Sequence, residues 1–456
     1  MEDKRIILFR DEKISTAINR LSLPAVVGLI VLAVYNFVDT MFVSWLGTAE
    51  AGAATLVMPV MMTVQAFGAA AGHGSASYVS RLLGMDRKKD ADKAATVSIY
   101  SMVIVSLLIT IVAIVYMEPI LIFFGGEGEI LDLAKSYCLY ILLGTIFALL
   151  NITMNNLLRA EGSAVISMTG MIIGSALNII LDPIFIFVLD LGIAGAAMAT
   201  TISRAVTTSI LVSRYMAGKS LLHIGARNFR PSLDIYREIF RVGIPTLFRQ
   251  LFASISFGLL SNAAFTYSGG TLLAAVGILF RIVIMPMYVV FGIGQAFQPV
   301  AGYNYGAGNK ERVMGAFKYA MMLSSFVTIA SVLFMNIFSS QLFGIFRAAE
   351  DVAAYGIMGL KYYSIAMVLM SVNNTIATFY QALGKGRESM VLSIARQGFF
   401  FVPVILIVPS LLGVHGILAT QLISDILTLA LSAFMFVPYI LSNKIETEML
   451  AMEARG

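Results

Sequence analysis

Twelve apolar stretches of about twenty residues or more follow one another along the chain. They lie near 16–45, 53–80, 95–117, 136–157, 164–189, 193–213, 243–266, 272–302, 314–340, 355–380, 389–411 and 414–440. About twenty apolar residues in a helix cross the hydrocarbon core of a bilayer, and lipid offers backbone polar groups no partner outside the segment. With 59% hydrophobic and 12% charged residues, a soluble chain of this length would leave much apolar surface in water. The expectation is an all-α membrane protein with twelve transmembrane helices. The charged opening, MEDKRIILFRDEKIS, reads as an interfacial helix, because no small-residue cleavage site follows a short apolar run as in a signal peptide.

A net charge of +5 does not point to nucleic acid, because the basic residues are gathered in short connections where they set topology. Of the 31 Lys and Arg, 24 fall in one alternate set of connections and 3 in the other. Both termini are therefore expected in the cytoplasm. The remaining four, Arg204, Arg249, Arg281 and Arg396, lie inside predicted spans. The single cysteine, Cys138, excludes an internal disulfide and a cysteine-rich metal site.

The second half of the chain repeats the first at a nearly constant offset. LSLP at Leu21 matches VGIP at Val242, LLRAEG at Leu157 matches FYQALG at Phe379, and GIAGAAMATTIS at Gly192 matches GVHGILATQLIS at Gly413. This predicts two six-helix lobes, 1–216 and 237–456, joined by a basic cytoplasmic linker over 217–236. Six is even, so the halves form a parallel repeat, a build used by transporters that rock one half against the other.

The halves differ in chemistry. In GSALNIILDPIFIF, beginning at Gly174, Asn178 and Asp182 are four residues apart and share a helix face, and Pro183 follows at once. A carboxylate within a span is a functional candidate, or else bonds to a neighbouring helix; the proline removes a helical hydrogen bond beside it. Asp39 in the first span and Thr200 in the sixth add hard oxygens suited to a proton or Na⁺. Burial disfavours the carboxylate form and a bound cation favours it, so proton and substrate can compete through this site. Arg249, Arg281 and Arg396 give the second half a basic interior. They are expected either to line a substrate cavity or to pair locally, for example with Asp425. His73 reads as a helix contact, and NYGAGNK lacks the Lys-Ser/Thr ending of a phosphate loop. No HExxH or Walker sequence occurs.

These residues resemble the multidrug and toxic compound extrusion (MATE) transporters, specifically the DinF-like and MepA-like bacterial branch. The matching stretches include SLPAVVGLIVLAVYNFVDTMFVSWLG, GSASYVSRLLGMDRKKDADKA, LLRAEGSAVISMTGMIIGSALNIILDPIFIF and PVAGYNYGAGNKERV. The resemblance implies a V-shaped pair of six-helix bundles that expels small, amphiphilic or cationic organic molecules in exchange for H⁺ or Na⁺. It implies a chain in the inner membrane of a prokaryote, a monomer among membrane lipids, with no cofactor beyond the coupling ion; no nucleic-acid partner is expected. It places Asp39, Asn178, Asp182 and Thr200 at cation-coupling positions, with Na⁺ possible at the last three. Pro24 and Pro183 are implied as bends, and Tyr35, Tyr137, Asn151 and Asn155 as cavity residues, with Arg249, Gln250, Arg281 and Arg396 as further candidates. The seventh span departs from the NorM-like pattern, carrying Arg249 and Gln250 and no glutamate. The alternatives are a flippase for lipid-linked sugars of the same superfamily and, more remotely, an intramembrane enzyme using two aspartates as acid and base.

Overall fold

The computed structural model describes residues 4–453. Arg455 and the first three residues of the charged opening lie outside the described residues. The helices run in the order α1 (Lys4–Arg10), α2 (Ile14–Leu46), α3 (Thr48–Gly84), α4 (Lys88–Val115), α5 (Met117–Phe123), α6 (Gly128–Leu143), α7 (Thr145–Ala160), α8 (Ala164–Pro183) and α9 (Gly192–Met216). They continue with α10 (Leu233–Gly306), α11 (Lys310–Ile337), α12 (Ser339–Ile345), α13 (Glu350–Ala382), α14 (Gly386–Ile394), α15 (Phe401–Leu412), α16 (Val414–Leu441) and α17 (Lys444–Glu453). No strand occurs among the described residues.

Nine of the described helical segments are long and apolar enough to cross a membrane. One of them, α10, is two crossings, because Ser268 (φ −146°, ψ 20°) and Gly269 (φ +61°, ψ −149°) interrupt its 74 residues. Only glycine takes the second conformation readily. The pair α6 and α7 makes one crossing bent by 48°. The less apolar α9, at 25 residues, is long enough to span, which completes twelve. Large apolar side chains exposed on α4 (Leu107, Leu108, Ile111, Val115) and α11 (Phe326, Ile329, Leu333, Phe334) would be a liability in water and are ordinary against lipid. The chain is a multi-pass membrane protein.

The repeat is written in the helix boundaries. Lys88, Met117, Gly128, Ala164 and Gly192 open α4, α5, α6, α8 and α9; one constant offset carries them to Lys310, Ser339, Glu350, Gly386 and Val414, which open α11, α12, α13, α14 and α16. The exception is informative. The crossing formed by α6 and α7 is broken at Gly144, whereas α13 runs on without interruption. A Cβ on Gly144 would stand 2.5 Å from Thr201 Oγ1, and that hydroxyl donates to the Tyr140 carbonyl at 2.9 Å. Thr110 donates to Leu142 O at 3.0 Å and Thr208 to Phe147 O at 3.2 Å. Three inserted hydroxyls thus serve the carbonyls around the bend, a recognised cause of helix kinks.

By their contacts the residues form two compact units, one of residues up to Leu8 with Val27–Gly243, the other of Phe9–Val26 with residues from Ile244 onward. In both repeats the chain changes unit inside the first long helix, next to Pro24 and its counterpart Pro245. The 217–236 segment belongs to the first unit. Among the described residues, a core cluster of the first unit gathers Val43, Val57, Leu121, Tyr137, Leu142 and Ile186, and clusters of the second unit form around Leu279, Met287 and Phe343 and around Leu260, Phe401 and Leu418.

Matching glycines set the last long helix of each repeat close to the one before it. A Cβ on Gly195 would meet Phe185 O at 2.6 Å, and a Cβ on Gly416, its counterpart in the second repeat, would meet Val408 O at 2.6 Å. Backbone cannot move aside as a side-chain tip can. Gly195→Ala and Gly416→Ala are each expected to destabilise by about 1–3 kcal/mol, the usual cost of overpacking. Thermal unfolding in detergent measures this, and a melting point equal to wild type in either variant would count against it.

Candidate functional site

The site in the first unit begins with close approach of α8 and α9. A Cβ on Gly174 would collide with the Thr207 hydroxyl, and one on Gly170 would press on Leu211 at 3.1 Å. This closeness brings Thr200 to Asn178. The Asn178 amide donates to Asp182 Oδ1 at 3.2 Å and lies 3.4 Å from Thr200 Oγ1. Asp182 is 0% exposed, Asn178 1% and Thr200 2%. Pro183 ends the regular helix directly after the acid. Lacking an N–H, it leaves the Ile179 carbonyl without its usual donor, and the chain widens into a π turn over Ile184–Val188, closed by Leu189 N to Ile184 O at 2.9 Å. Such wide turns recur at functional sites.

Three oxygens here are buried without a hydrogen-bond partner among the described residues: Asp182 Oδ2, Asn178 Oδ1 and Asp39 Oδ1. Buried polar atoms are nearly always satisfied, so each calls for an explanation. Asp39, on α2, lies within electrostatic range of Asp182. Buried Tyr35, one turn earlier, sits beside Thr200, and Tyr137 from α6 completes the group, in range of both aspartates.

Arg204 also belongs to this cluster, in electrostatic range of Asp39, Tyr35 and Tyr137. Sequence reasoning noted this arginine as intramembrane but did not place it in the site. The available signal was its position four residues after Thr200, on the same face of α9. The register that pairs Gly192 with Gly413 gives Arg204 a counterpart of opposite sign, Asp425.

The other candidates lie elsewhere. Asn155 donates to Asn151 Oδ1 at 2.5 Å and accepts from Ser167 at 2.7 Å, and Ser167 in turn accepts from Arg159 at 2.9 Å. The two asparagines thus share a network of α7 and α8 with Arg159, and none of these bonds reaches Asp182. In the second unit Arg396 pairs with buried Asp425, Nε to Oδ1 at 2.6 Å. Arg249 is half-buried and faces Arg396, whereas Gln250 and Arg281 are exposed. Pro24 lies within α2.

The donor set accommodates a proton or a hard monovalent cation. Carboxylate, amide and hydroxyl oxygens are the ligands such ions take, and two of the orphaned oxygens belong to the hydrogen-bonded pair Asn178 and Asp182. No cluster of three or more His, Cys, Asp or Glu occurs among the described residues, so the arrangement is not of the multi-carboxylate or thiolate type.

A membrane protein of twelve crossings in two repeats, with a buried polar site inside one repeat, belongs to the class of secondary transporters. Residues 24–184 and 245–407 match the MatE family, and the chain is a member of it. It is 27% identical over 449 residues to the multidrug export protein MepA of Staphylococcus aureus (strain MSSA476), with 98% of each chain covered, and equally to that of Staphylococcus haemolyticus (strain JCSC1435). Among solved structures it is similar to a multidrug resistance MATE family transporter in its outward-facing conformation (TM-score 0.91, 29% identity, 100% of each chain). A transporter of the MOP superfamily from Pyrococcus furiosus Vc1 (DSM3638), described as having a binding pocket of reverse polarity, matches at TM-score 0.91 and 29% identity over 99% of each chain.

Proposed function

We propose that the protein exports small amphiphilic or cationic organic molecules, exchanging them for H⁺ or Na⁺ taken up at Asp182. One observation carries the reading: in the buried, hydrogen-bonded pair Asn178 and Asp182, one oxygen of each residue, Asn178 Oδ1 and Asp182 Oδ2, is without a partner among the described residues. The MepA relatives are named multidrug export proteins, which supports export of drug-like organic molecules. Asn178 is a fitting partner for a titrating acid. Its Nδ2 donates to ionised Asp182, and a turn of the amide lets Oδ1 accept from the protonated carboxyl. Asp39 and Thr200 complete the coupling group, Arg204 balances Asp39, and Tyr35 and Tyr137 border it.

The working cycle follows from differential binding. The ion favours an outward-facing state that releases substrate, and its loss to the cytoplasm returns the site for reloading. The two lobes, 1–216 and 237–456, supply the alternating movement, with the 217–236 linker staying with the first unit; the protein works as a monomer, and the bias of basic residues supports cytoplasmic termini. Proteoliposomes holding a fluorescent cationic dye test this under an imposed pH gradient and, separately, a Na⁺ gradient. Dye movement driven by one of them names the coupling ion. Equal dye flux with and without both gradients would refute coupled exchange.

A further inference from the structure

We propose that the second unit holds a halide-sized monovalent anion between Arg249 and Arg396. The two guanidiniums border one small cavity of about 30 Å³, which Asn374, Ser393 and Thr428 also line. A single water-sized occupant needs about 10–15 Å³ of such space, and drug-sized pockets run to hundreds. The cavity therefore suits one small ion.

The charges around it do not balance. Asp425 is fully buried, and both its oxygens are committed: Oδ1 accepts from Arg396 Nε at 2.6 Å and Oδ2 from Gln421 Nε2 at 2.8 Å. Arg396 uses only its Nε in that bond. Arg249 has no hydrogen bond or ion pair with any described residue, and the charge it feels is the like charge of Arg396. Two arginines against one aspartate leave a surplus of one positive charge in a largely apolar unit. Arg249 and Arg396 are both half-buried, so this charge is partly desolvated and gains from a counter-ion.

A second observation points into the same cavity. Ser393 is 6% exposed and its hydroxyl has no partner among the described residues. The nearby Asn373 is satisfied, donating to Asp425 O at 3.2 Å and accepting from Ser432 at 3.0 Å. The charged groups with unused donors at the cavity are the guanidinium of Arg249 and the remaining nitrogens of Arg396, and the Ser393 hydroxyl and the Asn374 and Gln397 amides, which also line it, can turn a donor toward the same occupant. Two guanidiniums with donors to spare, a surplus charge of one and room for one small ion point to a monovalent anion site. A doubly charged oxyanion exceeds both the charge and the space. In the first unit the position of Arg249 is occupied by Gly28 and that of Arg396 by small residues at 174–175, so the repeat builds this site once.

The test uses the full chain in detergent at constant ionic strength. The melting temperature is expected to rise with the logarithm of chloride or bromide concentration when either replaces gluconate, as binding to the folded state requires. Arg249→Gln is expected to abolish the rise, and Arg249→Lys to keep it at reduced affinity. Equal melting points in chloride and gluconate, or a rise that persists in Arg249→Gln, would overturn the site. Acetate stabilising in place of chloride would overturn the halide assignment in favour of a carboxylate. If the variants do not fold, wild-type crystals grown in bromide decide: an anomalous peak between the two guanidiniums supports the site, and its absence removes it. Transport does not enter these readouts, so they stand apart from the coupling reaction.

Discussion

Replacing Asp182 by Asn is expected to lower gradient-driven dye efflux about 100-fold, within the 5- to 150-fold range given by coupling energies of about 1–3 kcal/mol. The substitution is nearly isosteric and keeps one oxygen for the Asn178 amide, which now donates at 3.2 Å. What it removes is the exchangeable proton and the formal charge that a cation needs. Because the shape of this buried site is kept, the structural change should be small, and dye binding measured by fluorescence polarisation should stay within a few-fold of wild type. Loss of efflux with retained binding identifies coupling. Full efflux in Asp182→Asn would remove the acid from the cycle and direct attention to Asp39, whose own Oδ1 is without a partner.

Much of this was legible before any coordinates. Twelve apolar runs and their recurrence depend only on residue type and spacing, and the helix boundaries follow them because lipid leaves no other way to satisfy the backbone. Asn178 and Asp182 were legible as a pair because α-helical geometry alone places them on one face. The bend at Gly144 was not, since it needs the hydroxyl of Thr201 arriving from α9. The same holds for Asn155, which has Ser167 and Arg159 for company. Partners brought by packing between distant segments leave no periodic signal. Arg204 lies between these cases: its spacing from Thr200 was visible, but its relation to Asp39 required α2 to be placed.

Glu161→Ala is expected to destabilise the first unit by about 2–4 kcal/mol, the sum of a stranded buried amide and a lost charge partner. In sequence Glu161 is part of a turn motif, LLRAEG, with no sign of its task. In the fold it is 0% exposed and anchors the start of the linker. It accepts from Leu221 N at 2.9 Å, Leu222 N at 3.2 Å, Ser163 Oγ at 2.7 Å, Arg5 Nη1 at 3.3 Å and the Ser220 hydroxyl. Removing the carboxylate strands the buried Leu221 amide, whereas Leu222 N keeps Ser220 Oγ at 3.1 Å. Each buried donor left unmet costs about 1–3 kcal/mol, and Arg5 loses its charge partner as well. Arg5→Ala should cost about 0–1 kcal/mol, because that side chain is partly exposed and such pairs are screened. The contrast separates anchoring of the linker by backbone amides from a simple ion pair. Thermal unfolding gives the stabilities, and limited proteolysis near Lys219 reports linker release. Similar stability losses in Glu161→Ala and Arg5→Ala would assign the effect to the ion pair; no loss in either would show that the linker holds without this carboxylate. Because the linker joins the two repeats, release without unfolding should also change the rate of gradient-driven efflux, which tests whether a fixed linker is required for the two halves to move in concert.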